Sequence, residues 1–351
     1  MSKRLKSCKL LLNNKKIFIE CSPGVGDLVV LSPILRALKE RYPSCILTIM
    51  SKRNSLRVIE RLPYVDHICP VDEGTKIILK KMWKQDYVIF INYKPLLFAL
   101  AKLLGVPHRI GPCKEKNKKW GVCTKYFQYD EDVPNDIRET DYFMSHICEA
   151  LEIPALDYIE QTSVSMPSTE EIEGALSKLK RNGHISGKEY ICISPFANTE
   201  LDIPMSTIES VVSWLLQKYD YEIVFLGAES SSSLTKLIKS IDSLRLIDMT
   251  NKTGMMDLIS ILKKAKMLLC ADSGPMHISA ALGTLTVPIF SSGNIYRWAP
   301  RMNCYPITLN LSCSPCKAGR HICKNHKCIL GLSPNIIVEN IDKILRKREE
   351  T

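Results

Sequence analysis

The sequence contains no apolar run that approaches the roughly 20 residues needed to span a membrane. Its basic N-terminus carries only a short apolar patch, Leu10–Leu12, and lacks the apolar core of a signal peptide. It also lacks a helix-turn-helix pattern, a zinc finger, an aromatic RNA-binding signature, a solenoid repeat and any low-complexity segment. These absences argue against membrane-spanning, repeat and nucleic-acid-binding proteins, and they predict a cytoplasmic location.

The composition is that of a folded globular chain, because 45% of the 351 residues are hydrophobic and 24% are charged. Short apolar strands alternate with amphipathic helices in both halves, which predicts an α/β fold with parallel sheets. We expect two doubly wound domains, residues 1–160 and 161–333, followed by a helix and charged tail over 334–351. The polar segment Glu152–Ser168 is the expected linker, and a cleft between the domains is the expected ligand site.

The charge is unevenly distributed along the chain. Residues 1–125 hold 25 basic and 9 acidic side chains, whereas residues 126–351 hold 23 and 28. A strongly basic first domain indicates an anionic partner, such as a phosphorylated substrate or a membrane surface, or simply a solvated basic face.

The first motif is the glycine turn Pro23-Gly24-Val25-Gly26-Asp27, which follows the first predicted strand. Gly24 and Gly26 permit a sharp turn and the close approach of a ligand, and the helix that follows favours an anion at its N-terminus. Val29 replaces the third glycine of a dinucleotide fingerprint, which excludes nicotinamide binding. Asp27 is either a carboxylate that caps the helix or a general base that deprotonates an attacking hydroxyl.

The second motif is Asp272-Ser273-Gly274-Pro275-Met276-His277, which also follows an apolar strand. Its Asp or Ser can cap a helix, its Gly allows close approach, and its Pro suits the first helical turn. The N–H groups at such a helix start form a cradle for a diphosphate. His277 is either a structural residue or a ligand contact, and Arg297 and Trp298 lie where a base or sugar can rest.

The third motif is a cysteine segment near the C-terminus. Four cysteines are interleaved with two histidines: Cys313, Cys316, His321, Cys323, His326 and Cys328. Four thiols within 16 residues favour a structural zinc or iron site, with no open position for catalysis. A redox-labile disulfide pair, and packed or exposed thiols, are the alternatives.

Together these motifs resemble glycosyltransferase family 9, the heptosyltransferase type. The matching stretches are SPGVGDLVVLSPILRALKERYP at 22–43, CADSGPMHISAALGTLTVPIF at 270–290, RWAP at 297–300 and the cysteine segment. Members of this family transfer a sugar from a nucleotide donor, usually ADP-heptose, to lipopolysaccharide core. The resemblance implies a GT-B fold, in which two Rossmann-like domains face a central cleft. The first domain then binds the acceptor and the second binds the nucleotide-sugar.

The resemblance also implies metal-independent transfer with inversion and no cofactor for catalysis. Asp27 is then the base, and the helix start stabilises the leaving diphosphate. The glycine turn of Gly24 and Gly26 belongs to the first domain. The donor-binding residues that the resemblance implies are Ser194, Gly227, Glu229, Met249, Thr250, Asp272, Ser273, Gly274, Pro275, Met276, His277 and Arg297.

One position departs from the family pattern. Members commonly carry a Lys shortly before a Trp-Pro pair, and that Lys meets the diphosphate; here the Lys position is Leu201, the Trp position is Ile203, and Pro204 is kept. Either another cation substitutes, with Arg297 the first candidate, or activity is reduced or absent.

Three functions fit these observations. The first is heptose transfer to an anionic, lipid-linked core at the inner face of the inner membrane, with peripheral membrane contact, which the basic first domain favours. The second is a protein O-heptosyltransferase with a polypeptide acceptor. The third is a degenerate, non-catalytic binder of nucleotide or glycan, against which the presence of both Asp27 and Asp272 argues.

Overall fold

A computed structural model describes residues 12–21, 24–92, 94–112, 121–127, 137–158, 160–197, 201–316 and 323–349. The chain divides into two compact units, Met1–Ser165 and Met166–Thr351. Each unit is built on one parallel sheet with helices on both faces, which confirms the predicted pair of doubly wound α/β domains. The helices of the described segments are all too short or too polar to cross a membrane.

The first domain contains a six-stranded sheet. Its elements are β1 Lys16–Glu20, α1 Val25–Arg41, β2 Ile46–Ser51, α2 Arg53–Leu56, β3 His67–Pro70, α3 Thr75–Met82, β4 Tyr87–Phe90, α4 Pro95–Leu103, β5 His108–Pro112, β6 Lys125–Phe127 and α5 Glu139–Ala150. The strand order is β3-β2-β1-β4-β5-β6, and all pairs are parallel. The order therefore reverses between β1 and β4.

Right-handed crossovers on the two sides of this reversal place the helices on opposite faces of the sheet. Helices α3 and α4 pack on one face, over a cluster that includes Phe18, Phe90 and Phe98. Helix α1 contacts α5 on the other face.

The second domain contains a five-stranded sheet. Its elements are α6 Thr169–Arg181, β7 Tyr190–Ser194, α7 Met205–Lys218, β8 Glu222–Phe225, α8 Ser232–Ile241, β9 Leu246–Asp248, α9 Met255–Lys264, β10 Met267–Ala271, α10 Gly274–Ala281, β11 Leu285–Ile289, α11 Ile295–Trp298, α12 Lys327–Leu330 and α13 Pro334–Glu349. The order β11-β10-β7-β8-β9 reverses between β7 and β10, and these pairs are also parallel.

The C-terminal helix is part of the second domain. Ile337 and Ile341 of α13 are fully buried in its core, and α13 contacts α7. Asp342 holds the two helices together, because it pairs with Lys218 at 2.7 Å and accepts a hydrogen bond from Tyr219 Oη at 2.7 Å. The hydrogen bond from Lys218 is the largest of several interactions that lower the pKa of Asp342 to about 2.

The predicted linker forms neither helix nor strand where it is described, and its second half is attached to the first domain. The N–H of Ser163 donates to Ser32 Oγ of α1 at 2.8 Å. The N–H of Arg61 donates to Ser165 Oγ at 3.0 Å, and the N–H of Ser165 donates to the Val58 carbonyl at 2.7 Å. These bonds tie the chain to the first domain up to residue 165.

Candidate active site

The glycine turn of the first domain lies at the carboxyl end of β1. Gly24 occupies the N-cap position of α1 with extended backbone angles (φ −166°, ψ 178°), and no side chain caps the helix. Asp27 is half-buried in the first turn. A Cβ atom at position 24 would lie 3.3 Å from Asp27 Oδ2, so the glycine leaves room for this carboxylate. Asp27 thus acts on the helix dipole from inside the first turn and not from the N-cap position.

Two further carboxylates, for which the sequence carried no motif, lie near the same turn. Burial raises the pKa of the Cys21 thiol, and the carboxylates of Asp27, Glu20 and Glu139 raise it further. Glu20 ends β1 and Glu139 begins α5, and both side chains are buried. A negative environment of this kind favours proton uptake by a base. The sequence signal that could have identified Glu20 is its position as a charged residue at the end of an apolar strand.

A buried amide lies beside Glu20. The N–H of Asn92, which follows β4, donates to Glu20 Oε2 at 3.5 Å. Asn92 Nδ2 is buried and has no hydrogen-bond partner among the described residues. Because β1 and β4 are neighbours at the reversal of strand order, this amide lies where doubly wound sheets bind their ligands. Asn92 is therefore a further candidate for substrate contact.

The second glycine turn lies at the carboxyl end of β10. Ser273 occupies the N-cap position of α10 with extended backbone angles (φ −159°, ψ 172°), but no side chain caps the helix. The predicted side-chain cap is therefore wrong, because Ser273 Oγ donates instead to the Ala271 carbonyl at 3.2 Å. Gly274 and Pro275 are the first two helical residues, and Asp272 beside them is half-buried. An uncapped helix start of this kind can receive an anionic group.

The next two residues of α10 point into the domain. Met276 is fully buried and its N–H donates to the Ser273 carbonyl at 3.1 Å, so its placement does not support a contact with the donor. His277 is buried as well, and burial lowers its pKa to about 4. A neutral imidazole behind the helix start fits the structural role that the sequence left open.

The burial of His277 predicts a loss of stability in acid. The pKa of this imidazole is 6.5 when unperturbed and about 4 in the folded chain. The contribution of neutral His277 to the free energy of unfolding is therefore fully present above pH 6.5 and is lost as the pH falls towards 4. This interval corresponds to about 3 kcal/mol at 1.36 kcal/mol per pH unit. We expect His277→Gln to lose less stability than the unmodified chain between pH 7 and 4.5 in urea unfolding. The exposed control His67→Gln should lose as much as the unmodified chain, and an equal loss in His277→Gln would contradict the prediction.

The other predicted donor residues lie at the carboxyl edge of the second sheet. Ser194 ends β7, and Met249 and Thr250 follow β9; all three are buried. Gly227 and Glu229 lie in the loop after β8, where Glu229 is exposed. The parallel topology thus brings together residues that lie far apart in the chain.

Gly227 lets the loops after three strands pack closely. A Cβ atom there would lie 3.1 Å from Phe196 Cδ2 and 3.3 Å from Thr250 Cγ2. Asp248 Oδ1 accepts hydrogen bonds from the N–H of Thr250 at 2.9 Å and from its hydroxyl at 2.6 Å. The Thr250 hydroxyl therefore has a fixed orientation and can act only as an acceptor towards a ligand.

Arg297 lies on the short helix α11, in the segment after β11. Its N–H donates to Asn294 Oδ1 at 3.1 Å, and its guanidinium carbon lies 5.3 Å from the ring centroid of Trp298. This cation–π contact holds the charge beside an aromatic surface.

The cysteine segment contributes to a pocket of about 160 Å³ in the second domain. The residues of interest in its lining are Leu201, Cys313, Cys316, Cys323, Lys327 and Cys328. Ser292, which follows β11, also lines the pocket, and its carbonyl accepts a hydrogen bond from the N–H of Cys316 at 2.9 Å. Leu201 follows β7, and β10 lies between β7 and β11. The pocket thus takes its lining from the segments that follow β7 and β11, the two strands that flank β10.

The arrangement of these thiols does not support the predicted metal site at Cys313, Cys316, Cys323 and Cys328. Within the described segments, no three or more His, Cys, Asp or Glu side chains are grouped so that they could hold a metal ion. A tetrahedral site needs its sulfur atoms about 2.3 Å from one point, and the four thiols line one pocket without forming such a group. His321 lies outside the described residues, and the described cysteines form no disulfide.

Comparison with known proteins agrees with the fold and the motifs. The family model for glycosyltransferase family 9 (heptosyltransferase) matches residues 78–327. A lipooligosaccharide heptosyltransferase 2 of Campylobacter jejuni is 23% identical over 342 residues, covering 94% of this chain and 99% of the relative.

Two solved structures share the fold over most of the chain. The Escherichia coli ADP-heptose lipopolysaccharide heptosyltransferase II has a TM-score of 0.75 at 18% identity, covering 95% of this chain and 99% of that one. The iron-containing dodecameric glycosyltransferase TibC of enterotoxigenic E. coli has a TM-score of 0.59 at 10% identity, covering 97% and 78%. Since the family model spans well over half of the sequence, the chain belongs to glycosyltransferase family 9, the heptosyltransferases, and is a glycosyltransferase of the GT-B fold.

Proposed function

We propose that this enzyme transfers heptose from ADP-heptose to a hydroxyl of a lipopolysaccharide-core acceptor, with inversion at the anomeric carbon. The observation that carries the proposal is the position of the two glycine turns. Asp27 follows β1 where the first sheet reverses its strand order, and Ser273 follows β10 where the second sheet does so. Ligands of doubly wound sheets bind at such reversals. The heptosyltransferase relatives, one of them named for ADP-heptose, supply the choice of donor.

In the proposed reaction Asp27 takes the proton of the acceptor hydroxyl. The acceptor oxygen forms a bond to the anomeric carbon, while the bond between that carbon and the β-phosphate oxygen breaks and ADP leaves with the electron pair. Glu20 and Glu139 are further carboxylates of this region, since together with Asp27 they raise the pKa of the Cys21 thiol. Asn92 Nδ2 is available to donate a hydrogen bond to the acceptor.

The helix start of α10 has the complementary role in the second domain. Charge develops on the diphosphate as ADP leaves, and the backbone N–H groups of Ser273 and Gly274, with the dipole of α10, stabilise it. Asp272 orients donor hydroxyls. Ser194, Gly227 and Thr250 shape the nucleotide site at the ends of the neighbouring strands.

A cation near the leaving diphosphate completes this site, because Leu201 cannot supply one. The sequence indicates Arg297 as the side chain that supplies this positive charge. Lys327 is a second candidate, because it lines the same pocket as Leu201. Loss of one charged donor to a developing oxyanion typically costs about 10²–10³-fold in kcat.

We therefore expect Lys327→Gln or Arg297→Gln to lower kcat by roughly 10²-fold, measured as steady-state ADP release. Lys324→Gln is the matched control, because Lys324 is an exposed lysine of the same segment and does not contribute to the pocket. Full activity in both the Lys327 and Arg297 variants would show that neither side chain replaces the missing lysine.

The direct test of the proposed function is nucleotide release from ADP-heptose and from a panel of UDP- and GDP-sugars, with and without heptose-deficient lipopolysaccharide. We expect ADP release that depends on the acceptor. If ADP binds but no donor is turned over with this acceptor, the proposed transfer is wrong, and a polypeptide acceptor or a non-catalytic role has to be considered.

A further inference from the structure

Helix α4 presents an apolar face to solvent. Its sequence, PLLFALAKL, contains one charged residue. Phe98 and Ala101 are buried against the sheet, yet Leu96 is 71% exposed and Leu103 is 84% exposed. Positions 96, 99, 100 and 103 follow helical spacing and hold only Leu or Ala, so they form one apolar stripe on the outer side of the helix. A stripe of this kind on a domain surface marks an interaction site.

The neighbouring helix extends this surface and adds basic residues. Helix α3 contacts α4 and exposes Lys76 and Lys80. Trp83 follows α3 and is 58% exposed, with Lys84 Nζ 4.5 Å from its ring centroid. We define the α3–α4 face as Lys76, Lys80, Trp83, Lys84, Leu96 and Leu103.

The charge of this segment is almost entirely of one sign. Residues 75–105 contain six lysines and a single acidic residue, Asp86. The charge of Asp86 is paired within the domain, because its carboxylate forms an ion pair with Lys15 at 3.0 Å and accepts a hydrogen bond from the N–H of Lys16 at 2.9 Å, at the start of β1. The face therefore combines exposed leucines and a tryptophan with positive charge.

We propose that the α3–α4 face docks the enzyme on a bilayer surface that contains anionic lipids. Leucine and tryptophan side chains enter the boundary between headgroups and acyl chains, while lysines meet the lipid phosphates. A nucleic acid would leave the leucine stripe without a partner, and an apolar protein surface would leave the lysines without one. Anionic lipid is the partner that matches both properties.

The position of the face relates it to the proposed reaction, and this relation rests on the proposed function of Asp27. Helix α4 begins shortly after the carboxyl end of β4, and β4 lies beside β1, whose carboxyl end leads to Asp27. Lys76 and Leu96, in the first turns of α3 and α4, therefore lie toward the sheet edge that carries the proposed base, whereas Trp83, Lys84 and Leu103, which precede β4 and β5, lie toward the opposite edge. An acceptor held in the bilayer would approach Asp27 from the end of the face formed by Lys76 and Leu96.

The test is cosedimentation of the full chain with vesicles of phosphatidylglycerol and phosphatidylcholine, compared with phosphatidylcholine alone. We expect binding to the anionic vesicles only. The triple variant Lys76→Gln, Lys80→Gln, Lys84→Gln should bind roughly 100-fold more weakly, at about fivefold per lysine near the surface. The double variant Leu96→Ser, Leu103→Ser should lose roughly tenfold or more, because it removes the inserted apolar area.

Matched controls come from the second domain. Leu244 is 97% exposed, so Leu244→Ser removes a comparable leucine, and Lys236→Gln with Lys239→Gln removes exposed lysines of α8. These variants should bind the anionic vesicles as the unmodified chain does. Retained ADP binding and an unchanged circular dichroism spectrum show that each variant is folded.

Unchanged vesicle binding in both face variants would overturn the proposal, as would equal binding to neutral vesicles. So would a dimer that the leucine variant converts to monomer, because the face would then belong to a second copy of the chain. Failure of the proposed function is distinguishable: vesicle binding through this face without heptose transfer would reject the reaction and keep the docking surface. Where transfer occurs, the face variants should raise KM for acceptor in vesicles and leave turnover of a deacylated, soluble acceptor unchanged.

Discussion

Asp27→Asn is expected to lower kcat for heptose transfer by about 10²–10⁴-fold, the range typical of a lost general base. The substitution keeps the shape of the side chain and removes its capacity to take the acceptor proton. ADP binding should persist, because the proposed donor site is formed by loops of the second domain. Single-turnover transfer and ADP affinity, measured on the same preparation, check the two expectations separately.

The structural alternative for Asp27 makes a different prediction. As a carboxylate in the first turn of α1 it contributes about 0.3–1 kcal/mol to stability through the helix dipole. Glu170→Gln is the matched control, because Glu170 is an exposed carboxylate in the first turn of α6. Both variants should unfold at slightly lower denaturant concentration, but only Asp27→Asn should lose transfer. Normal turnover in Asp27→Asn would remove Asp27 from the mechanism.

Gly274→Glu is expected to weaken ADP binding by roughly 100-fold or more, because it places a negative charge at the uncapped start of α10, where the diphosphate is proposed to bind. A glutamate at the first position of a helix is compatible with helical structure and interacts favourably with the dipole. The variant should therefore remain as stable as the unmodified chain while its affinity for ADP falls. Isothermal titration with ADP and urea unfolding measure these two quantities.

The control for this variant is Gly174→Glu on α6. A Cβ atom at Gly174 would meet no atom within 4 Å, and the position is exposed, so the same chemical change there should leave ADP binding unaltered. If Gly274→Glu binds ADP as tightly as Gly174→Glu does, the diphosphate does not lie at the start of α10.

Elements with a strong local pattern could be predicted from the sequence. The apolar run Tyr190–Ser194 predicts a strand, and β7 has those bounds. The two glycine turns were located because a turn that follows an apolar strand and opens a helix needs only a few consecutive residues. Helix α6 was not predicted, although Ser168 and Glu171 form a capping box and Ile172, Ala175, Leu176 and Leu179 follow helical spacing.

Tertiary contacts changed other local patterns. Apolar spacing over Ser55–Leu62 predicts a helix, but α2 covers only Arg53–Leu56. The carbonyl of Val58 accepts a hydrogen bond from the N–H of Ser165, more than one hundred residues further on, while the N–H of Leu62 donates to the Ile59 carbonyl and not to that of Val58, as an α-helix would require. Spacing likewise predicted a metal site for the four thiols; they line one pocket, and the described residues show no metal-binding group there.

The sequence by itself determined the doubly wound domains, the two glycine turns and the family, because each depends on the order of residues within short segments. Only the tertiary structure placed Glu20 and Glu139 with Asp27 around Cys21, Asn92 beside Glu20, and Lys327 in the pocket that Leu201 lines. These residues belong to strands, loops and helices that meet through sheet order and parallel pairing. Proximity of that kind is a property of long-range packing, which no local spacing in the chain records.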